Sequence, residues 1–538
     1  MGEGGQRVGA DDGSRGEALP GAVATSHPLA VEAGLDVLRA GGNAVDAAVC
    51  AAAVLGVVEP MSTGVGGDCF ALTWKPGQGV EPQPPRGLNG RGRAPAAASL
   101  ADLASRGLHS MPEHGVLPVT VPGALDAWQT LVSEEGTRPL GELLAPAIRL
   151  AHDGFEVTPV VARDWAASED RLKRGQGTRA WLLDGRAPRV GERFRQSELA
   201  RTLERVAADG VEVFYRGEIA EAIVRTSQRL GGWLAAEDLA THRSEWVEPL
   251  EGSYRGHPVY ELPPNGQGII ALQALGIMDG YPLGDVDEVE RHHLMIEAVK
   301  LAFADGERHV GDPDHLRVDP RRLLREEHLE SRRAQIGSAA LVHARSGPVA
   351  SDTVYVATVD THGGCCSLIN SIYMHFGSHV VAEGTGVTLQ NRGALFRTEP
   401  DHPSALGPGR RPYHTIIPAM VFRQDWPWLV FGVVGGFQQP QAQVQVLSNL
   451  VDRRMEPVEA VAARRFRWVE GARVRLEEGT ADAVVDGLRA RGHALVQGEG
   501  HGGFGGAQLL RLDRETGRRD GASDPRKDGC VGRTDARR

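Results

Sequence analysis

Apolar residues recur along this 538-residue chain with two different periods, and the period changes near its middle. Between Pro28 and Ala40 the residues Leu29, Ala33, Val37 and Leu38 follow helical spacing, and Gly41-Gly42 comes next as a stop, so the stretch predicts a helix. The run from Ala44 to Val58 is Ala-rich and apolar almost throughout, interrupted by Asp46 and Gly56. It falls short of the roughly 20 residues that cross a bilayer and reads as a helix buried on every side. Helical patterns dominate from Gly141 to Ala304, and Lys75 to Arg93, rich in Pro and Gly, reads as a surface excursion.

From Thr353 the period becomes that of strands. Thr353 to Val359 is β-branched or apolar, Asp360-Thr361-His362-Gly363-Gly364 makes a turn, and a second apolar run extends from Cys365 to Tyr373, which together predict a β-hairpin. Leu429 to Val434 is a further expected strand, ending at Gly435-Gly436. No linker-like stretch divides the middle and no repeat is present. Helices first, strand pairs next and a mixed segment last fit a layered α+β fold.

Composition narrows the function. The 59 Lys and Arg against 70 Asp and Glu leave a net charge of −11, and no basic block precedes the Arg-rich tail, which argues against nucleic acid. The 5 cysteines are too few for a disulfide framework, and Cys365-Cys366 read as small buried hydrophobes rather than as thiol nucleophiles. The N-terminus is polar and Gly-rich with no apolar core of a secretion signal, so a cytoplasmic protein with no membrane partner is expected. His292 and His293 are adjacent and so point to different helix faces; they read as structural, and no metal is expected. The glycine clusters at 64–67 and 503–506 lack the dinucleotide spacing, and no cofactor is expected.

The candidate chemistry sits at Asp352-Thr353, where a hydroxyl residue opens a strand deep inside the chain. A Thr in that place is commonly only a good β former. It can act as a nucleophile when its own α-amino group is free to take the hydroxyl proton, which requires a cut between Asp352 and Thr353.

Other segments accompany it: the stretch 23–70 ending in GVGGDCF, LNGRGRAP at 88–95, VPGALDAW at 121–128 and AVKLAFADG at 298–306. Beyond the hairpin come 376–393, RRPYHTIIPAMVF at 410–422, FGVVGGFQQPQ at 431–441 and GASDPRKDG at 521–529. In this order and spacing the set resembles the γ-glutamyltransferase (γ-glutamyltranspeptidase) family of N-terminal-nucleophile hydrolases, from about Gly21 to about Gly532. The resemblance implies a four-layer αββα sandwich and self-cleavage into a large subunit, 21–352, and a small subunit, 353–538, intertwined as one domain. Residues 1–20 are expected to be a disordered extension. The implied roles are Thr353 as nucleophile, Gly435 and Gly436 as the oxyanion pair, Ser371 as a hydroxyl near the nucleophile's amine, and Arg91 of R-x-x-A-P as the clamp on a substrate carboxylate.

Departures from the family pattern bear on the substrate. In Gln390-Asn391-Arg392-Gly393-Ala394-Leu395, Leu395 stands where γ-glutamyl enzymes hold the α-amino group with an acid, and Arg392 adds a cation. His414-Thr415 replaces a Ser-Ser pair, Val354 a hydroxyl residue, and Tyr373 an Asn that contacts substrate. Tyr373, Asn391, Arg392, His414 and Thr415 are therefore the expected substrate contacts beside Arg91. An ammonium group would lack its carboxylate partner there, so the pattern looks closer to the oxamate amidohydrolase and glutathione hydrolase-like branch. Hydrolysis of an amide with a small acidic acyl group is the expected activity. The alternatives are C–C hydrolysis releasing an oxalyl group in alkylproline-type antibiotic biosynthesis, ordinary glutathione hydrolysis or transfer, and an unprocessed non-catalytic homologue. The expected partners are a small acidic molecule and the chain's own other fragment, with further dimerisation left open.

Overall fold

A computed structural model describes residues 19–77, 83–342, 353–497 and 503–535. Asp352 and almost all of the 1–20 extension lie outside the described residues.

Two large sheets organise the chain. In sequence order their strands are β1 (Ala22–Thr25), β2 (Asp68–Trp74), β3 (Arg86–Gly90), β4 (Glu245–Val247), β5 (Leu250–Tyr254) and β6 (His257–Glu261). After Thr353 come the hairpin β7 (Val354–Val359) and β8 (Cys365–Ser371), then β9 (Ala419–Arg423), β10 (Trp426–Val434), β11 (Gly506–Leu512), β12 (Arg519–Ser523) and β13 (Cys530–Arg533). One sheet has the order β13-β1-β7-β8-β2-β3-β4 and the other β12-β11-β10-β9-β6-β5. The register fixes the geometry used below: in the antiparallel pair β8–β2, Ser371 lies opposite Asp68.

Side-chain alternation shows how the sheets are covered. On β7, Tyr355, Ala357 and Val359 pack in an apolar cluster shared with Met420 of β9, Val430 and Val434 of β10 and Leu510 of β11, between the two sheets. Val354 and Val356 point the other way, into a cluster with the helix α2 (Ala44–Val58). On β10 the odd positions Leu429, Phe431 and Val433 face outward against the helices α3 (Gly268–Asp279) and α4 (Glu288–His309) and against Ala442 and Val444 of α5 (Gln438–Val451).

All 15 residues of α2 are buried, and Asn43 caps it by accepting from the Asp46 amide. The expected helix after Pro28, α1, spans Pro28–Arg39, and the expected hairpin forms as predicted. Two expectations need correction. Strands are not confined to the part after Thr353: six strands of the two large sheets precede it, and β4 to β6 interrupt the stretch expected to be helical. Nor is Lys75 to Arg93 wholly an excursion, because Gly87 to Gly90 are buried in β3 between β2 and β4. No helix among the described residues is long and apolar enough to cross a membrane.

Candidate active site

Thr353 stands at the head of β7, 1 % exposed, with its hydroxyl donating to Ser371 Oγ at 3.2 Å. Ser371 is the last residue of β8, so the hairpin register brings the two hydroxyls together. Ser371 Oγ also accepts from the Tyr373 amide at 2.8 Å and from an Arg392 Nη at 3.2 Å. Tyr373 takes φ +79° to make that turn, and its ring lies 4.5 Å under the Arg392 guanidinium. Arg392 is fully buried and donates its other Nη to Thr415 Oγ1 at 2.7 Å. Burial lowers its pKa to about 10, which leaves it a cation at neutral pH.

Gly435 and Gly436 follow β10 with φ of +119° and +59°, a conformation glycine adopts freely. The chain turns there into α5, so the pair lies at a helix N-terminus, where backbone amides point outward and the dipole favours negative charge. Gln439 of that first turn donates to Thr353 Oγ1 at 3.4 Å, and its own amide bonds Gly436 O at 3.0 Å. Gln267 Nε2 holds Gly436 O and Thr415 O from the opposite side, at 2.8 and 2.7 Å. Behind the pair, Asp524 of the 521–529 motif bonds Arg465 at 2.6 Å, and Arg465 in turn holds Phe504 O at 3.0 Å. That fixes Gly505 against Gly435 at a spacing a side chain would crowd.

Below this layer lies a buried pair that the sequence reading only half found. His414 Nδ1 accepts the Ile416 amide at 3.4 Å, so Nε2 carries the proton and donates to Asp68 Oδ2 at 3.0 Å. Asp68 Oδ1 accepts from Gln390 and from the Gly92 amide. Burial, partly offset by the Arg392 charge, pushes the Asp68 carboxyl up to about 6, and burial holds His414 neutral far below its ordinary range. Asp68 ends the quoted GVGGD run, and only the fold shows that it faces His414.

The expected substrate contacts therefore fall into two groups. Tyr373, Arg392 and Thr415 meet at Ser371, and His414 with Asp68 forms the layer beneath them. Asn391 is built into the backbone, accepting from the Met374 amide and donating to Glu113 O. Arg91 is buried, with one Nη 3.1 Å from Glu245. The same carboxylate also takes Arg93 and Arg411. Burial lowers the Arg91 pKa, and Glu245 counters that effect.

Cys365 and Cys366 are buried, with their thiols raised by burial, as expected of packing residues. His292 bonds Glu288 O, and His293 bonds His493 at 2.9 Å. Among the described residues His293, Glu297 and His493 are close enough to share a metal ion. Lys300 Nζ already sits 2.7 Å from Glu297 Oε1 and supplies the positive charge there, in keeping with a structural role.

Two packed sheets flanked by helices and a strand-opening threonine point toward the N-terminal-nucleophile class, and the comparison with known proteins settles the family. The sequence model described as Gamma-glutamyltranspeptidase matches residues 30–533, and the chain belongs to that family of hydrolases. It is 36% identical to the glutathione hydrolase-like YwrD proenzyme of Bacillus subtilis, over 95% of this chain and 97% of that one. It is also 36% identical to the oxamate amidohydrolase proenzyme of Klebsiella pneumoniae subsp. pneumoniae, over 95% and 98% of the two chains. Among solved structures, cephalosporin acylase from Bacillus halodurans superposes with a TM-score of 0.89 at 44% identity, covering 96% of each chain.

Proposed function

We propose that this chain is a self-processing threonine amidohydrolase with a four-layer αββα fold, cut before Thr353 into fragments that stay together as a heterodimer. The observation that carries the reading is the buried Thr353 hydroxyl at a strand head, bonded to Ser371 and Gln439 next to a glycine pair at a helix N-terminus.

In processing, Thr353 Oγ1 attacks the Asp352 carbonyl, the acyl group passes from nitrogen to oxygen, and water hydrolyses the ester. This leaves Asp352 as a carboxylate and Thr353 with a free amine. That amine, with an ordinary pKa near ~7.7–8.0, takes the hydroxyl proton as Oγ1 attacks a substrate amide, and gives it to the departing amine. The oxyanion is stabilised by backbone N–H groups at the Gly435-Gly436 turn, aided by the α5 dipole. Water then attacks the acyl-enzyme, returning the hydroxyl and releasing the acid. Ser371, held by Arg392, is a positioning residue for the nucleophile.

The acyl group we infer is compact, bears a carboxylate and lacks an α-ammonium group. Leu395 offers an ammonium no partner, while Arg91 stands among three arginines that share Glu245. Oxamate-like and glutaryl-like amides fit this description.

Two measurements test the reading. Thr353→Ala is expected to stay one full-length chain with no turnover; maturation of that variant into two chains would move the nucleophile elsewhere. For the wild type, kcat/KM is expected to be higher for glutaryl-p-nitroanilide than for γ-glutamyl-p-nitroanilide. A tenfold preference for the γ-glutamyl compound, about 1.4 kcal/mol of transition-state binding, would make ordinary glutathione hydrolysis the better description.

A further inference from the structure

A cavity of about 450 Å3 opens beside the oxyanion turn. Met111, Phe303, Leu395, Phe396, Tyr413 and Phe437 form its apolar lining, and Glu307 and Arg397 stand on it as a half-exposed pair 3.2 Å apart. Its size falls among pockets that enclose small organic ligands, about 300–1,000 Å3.

Three links tie the cavity to the reacting centre. Phe437 directly follows Gly436 and leads into α5. The Tyr413 ring stacks on Phe437 at 5.5 Å and 18°, while its hydroxyl donates to Gln267 at 3.1 Å. The polar end of Tyr413 is thereby satisfied by protein, and the same Gln267 fixes Gly436 O. Finally, Leu395 closes the 3₁₀ turn Arg392–Leu395. Residues i and i+3 of such a turn share a side, so Leu395 lies on the flank that Arg392 presents to Ser371.

The apolar side of the cavity, with its stacked rings, favours an apolar occupant, and ring faces favour another ring. We propose that this cavity receives an apolar, ring-bearing part of the substrate, and that Leu395 and Phe437 determine that preference. The inference rests on Thr353 as nucleophile and goes beyond it by assigning the cavity to a chemical class. The ring can belong to the acyl half or to the amine half, and the carboxylate toward Arg91 is compatible with either.

Amine release from paired amides distinguishes the two sources. In the acyl arm, 3-phenylglutaryl- and glutaryl-methylamide are compared; in the amine arm, glutaryl amides of cyclohexylamine and isopropylamine. We expect the ring-bearing member of one arm to be favoured roughly tenfold or more in kcat/KM. We expect Phe437→Ala to bring that ratio near one while the ring-free member is still cleaved, and Leu395→Asp to lower the ratio as well. Ratios within about threefold of one in both arms, or a preference untouched by both variants, overturn the proposal. Calorimetric titration of the wild-type protein with phenylacetate against acetate, and with cyclohexylamine against isopropylamine, needs no turnover. Equal weak binding of ring and ring-free compounds overturns the proposal even in a protein that cleaves none of the four amides, whereas selective ring binding without turnover supports the cavity and counts against the nucleophile.

Discussion

Around Thr353, the roles of individual side chains follow from what each one touches. Arg392 looks in sequence like a spare cation for a substrate carboxylate, yet its guanidinium is bound to Ser371 and Thr415 inside the protein. Arg392→Lys cannot span both acceptors with one ammonium group, so kcat is expected to fall roughly tenfold or more with KM nearly unchanged. A raised KM at constant kcat would restore Arg392 to direct substrate binding. Asp68 gives a second test. Its folded pKa of about 6 lies above its ordinary 3.8, so the folded state holds the proton more tightly. The resulting stabilisation is full below about pH 4 and is lost as pH rises through about 6, a swing of about 3 kcal/mol for two units. The Tm of the wild type minus that of Asp68→Asn is therefore expected to decrease between about pH 4 and pH 6.5; a flat difference would show that Asp68 does not titrate there. Thr353, Gly435 and Gly436 could be picked out as candidates from their motifs because glycine pairs and strand-opening hydroxyls leave a local signature. Asp68, Gln267 and Gln439 could not, since each acquires its role from a partner more than 80 residues away.

Among the elements, the hairpin and the start of α5 carry the site. Gly67 shows how closely the turn before β2 packs on the hairpin: a Cβ there would lie 2.2 Å from Ser371 O, on the strand end that presents the second hydroxyl. Gly436→Val places a β-branched side chain at φ +59° in the proposed oxyanion turn. The variant is expected to fold and mature slowly, with kcat down roughly 10²–10³-fold, the scale of a lost oxyanion donor. Unchanged kcat in correctly matured protein would move the oxyanion site to another loop. The long apolar runs, α2, β7, β8 and β10, were legible because continuous burial leaves an unbroken hydrophobic signal. Strands β5 and β6 were hidden. Leu250-Glu251-Gly252-Ser253-Tyr254 is short and half polar, and Pro258 interrupts its partner, so their pairing depends on neighbours in the sheet rather than on their own residues.

At the scale of the molecule, the proposed cut before Thr353 would divide the sequence but not the sheets. Strand β1 lies between β7 and β13, and β5 and β6 complete the sheet built by β9 to β12. Denaturing gels of mature protein are expected to show two bands, about two-thirds and one-third of the chain, that travel as one particle in native gel filtration. Separation of the bands without denaturant would contradict the interleaving, because each piece alone would expose unpaired strand edges and half of the core between the sheets.

The pairing of β1 with β13 has a consequence for how the protein could be rewired. Ala22 lies opposite Arg533, so the two ends of the fold meet side by side at the edge of one sheet. A circularly permuted gene could join them through a short loop and begin at Thr353. Translation followed by removal of the initiator methionine would then deliver the free threonine amine directly. Such a permutant should be active as a single polypeptide, with maturation uncoupled from catalysis, and a substitution that stalls the native precursor without touching turnover should leave it unaffected.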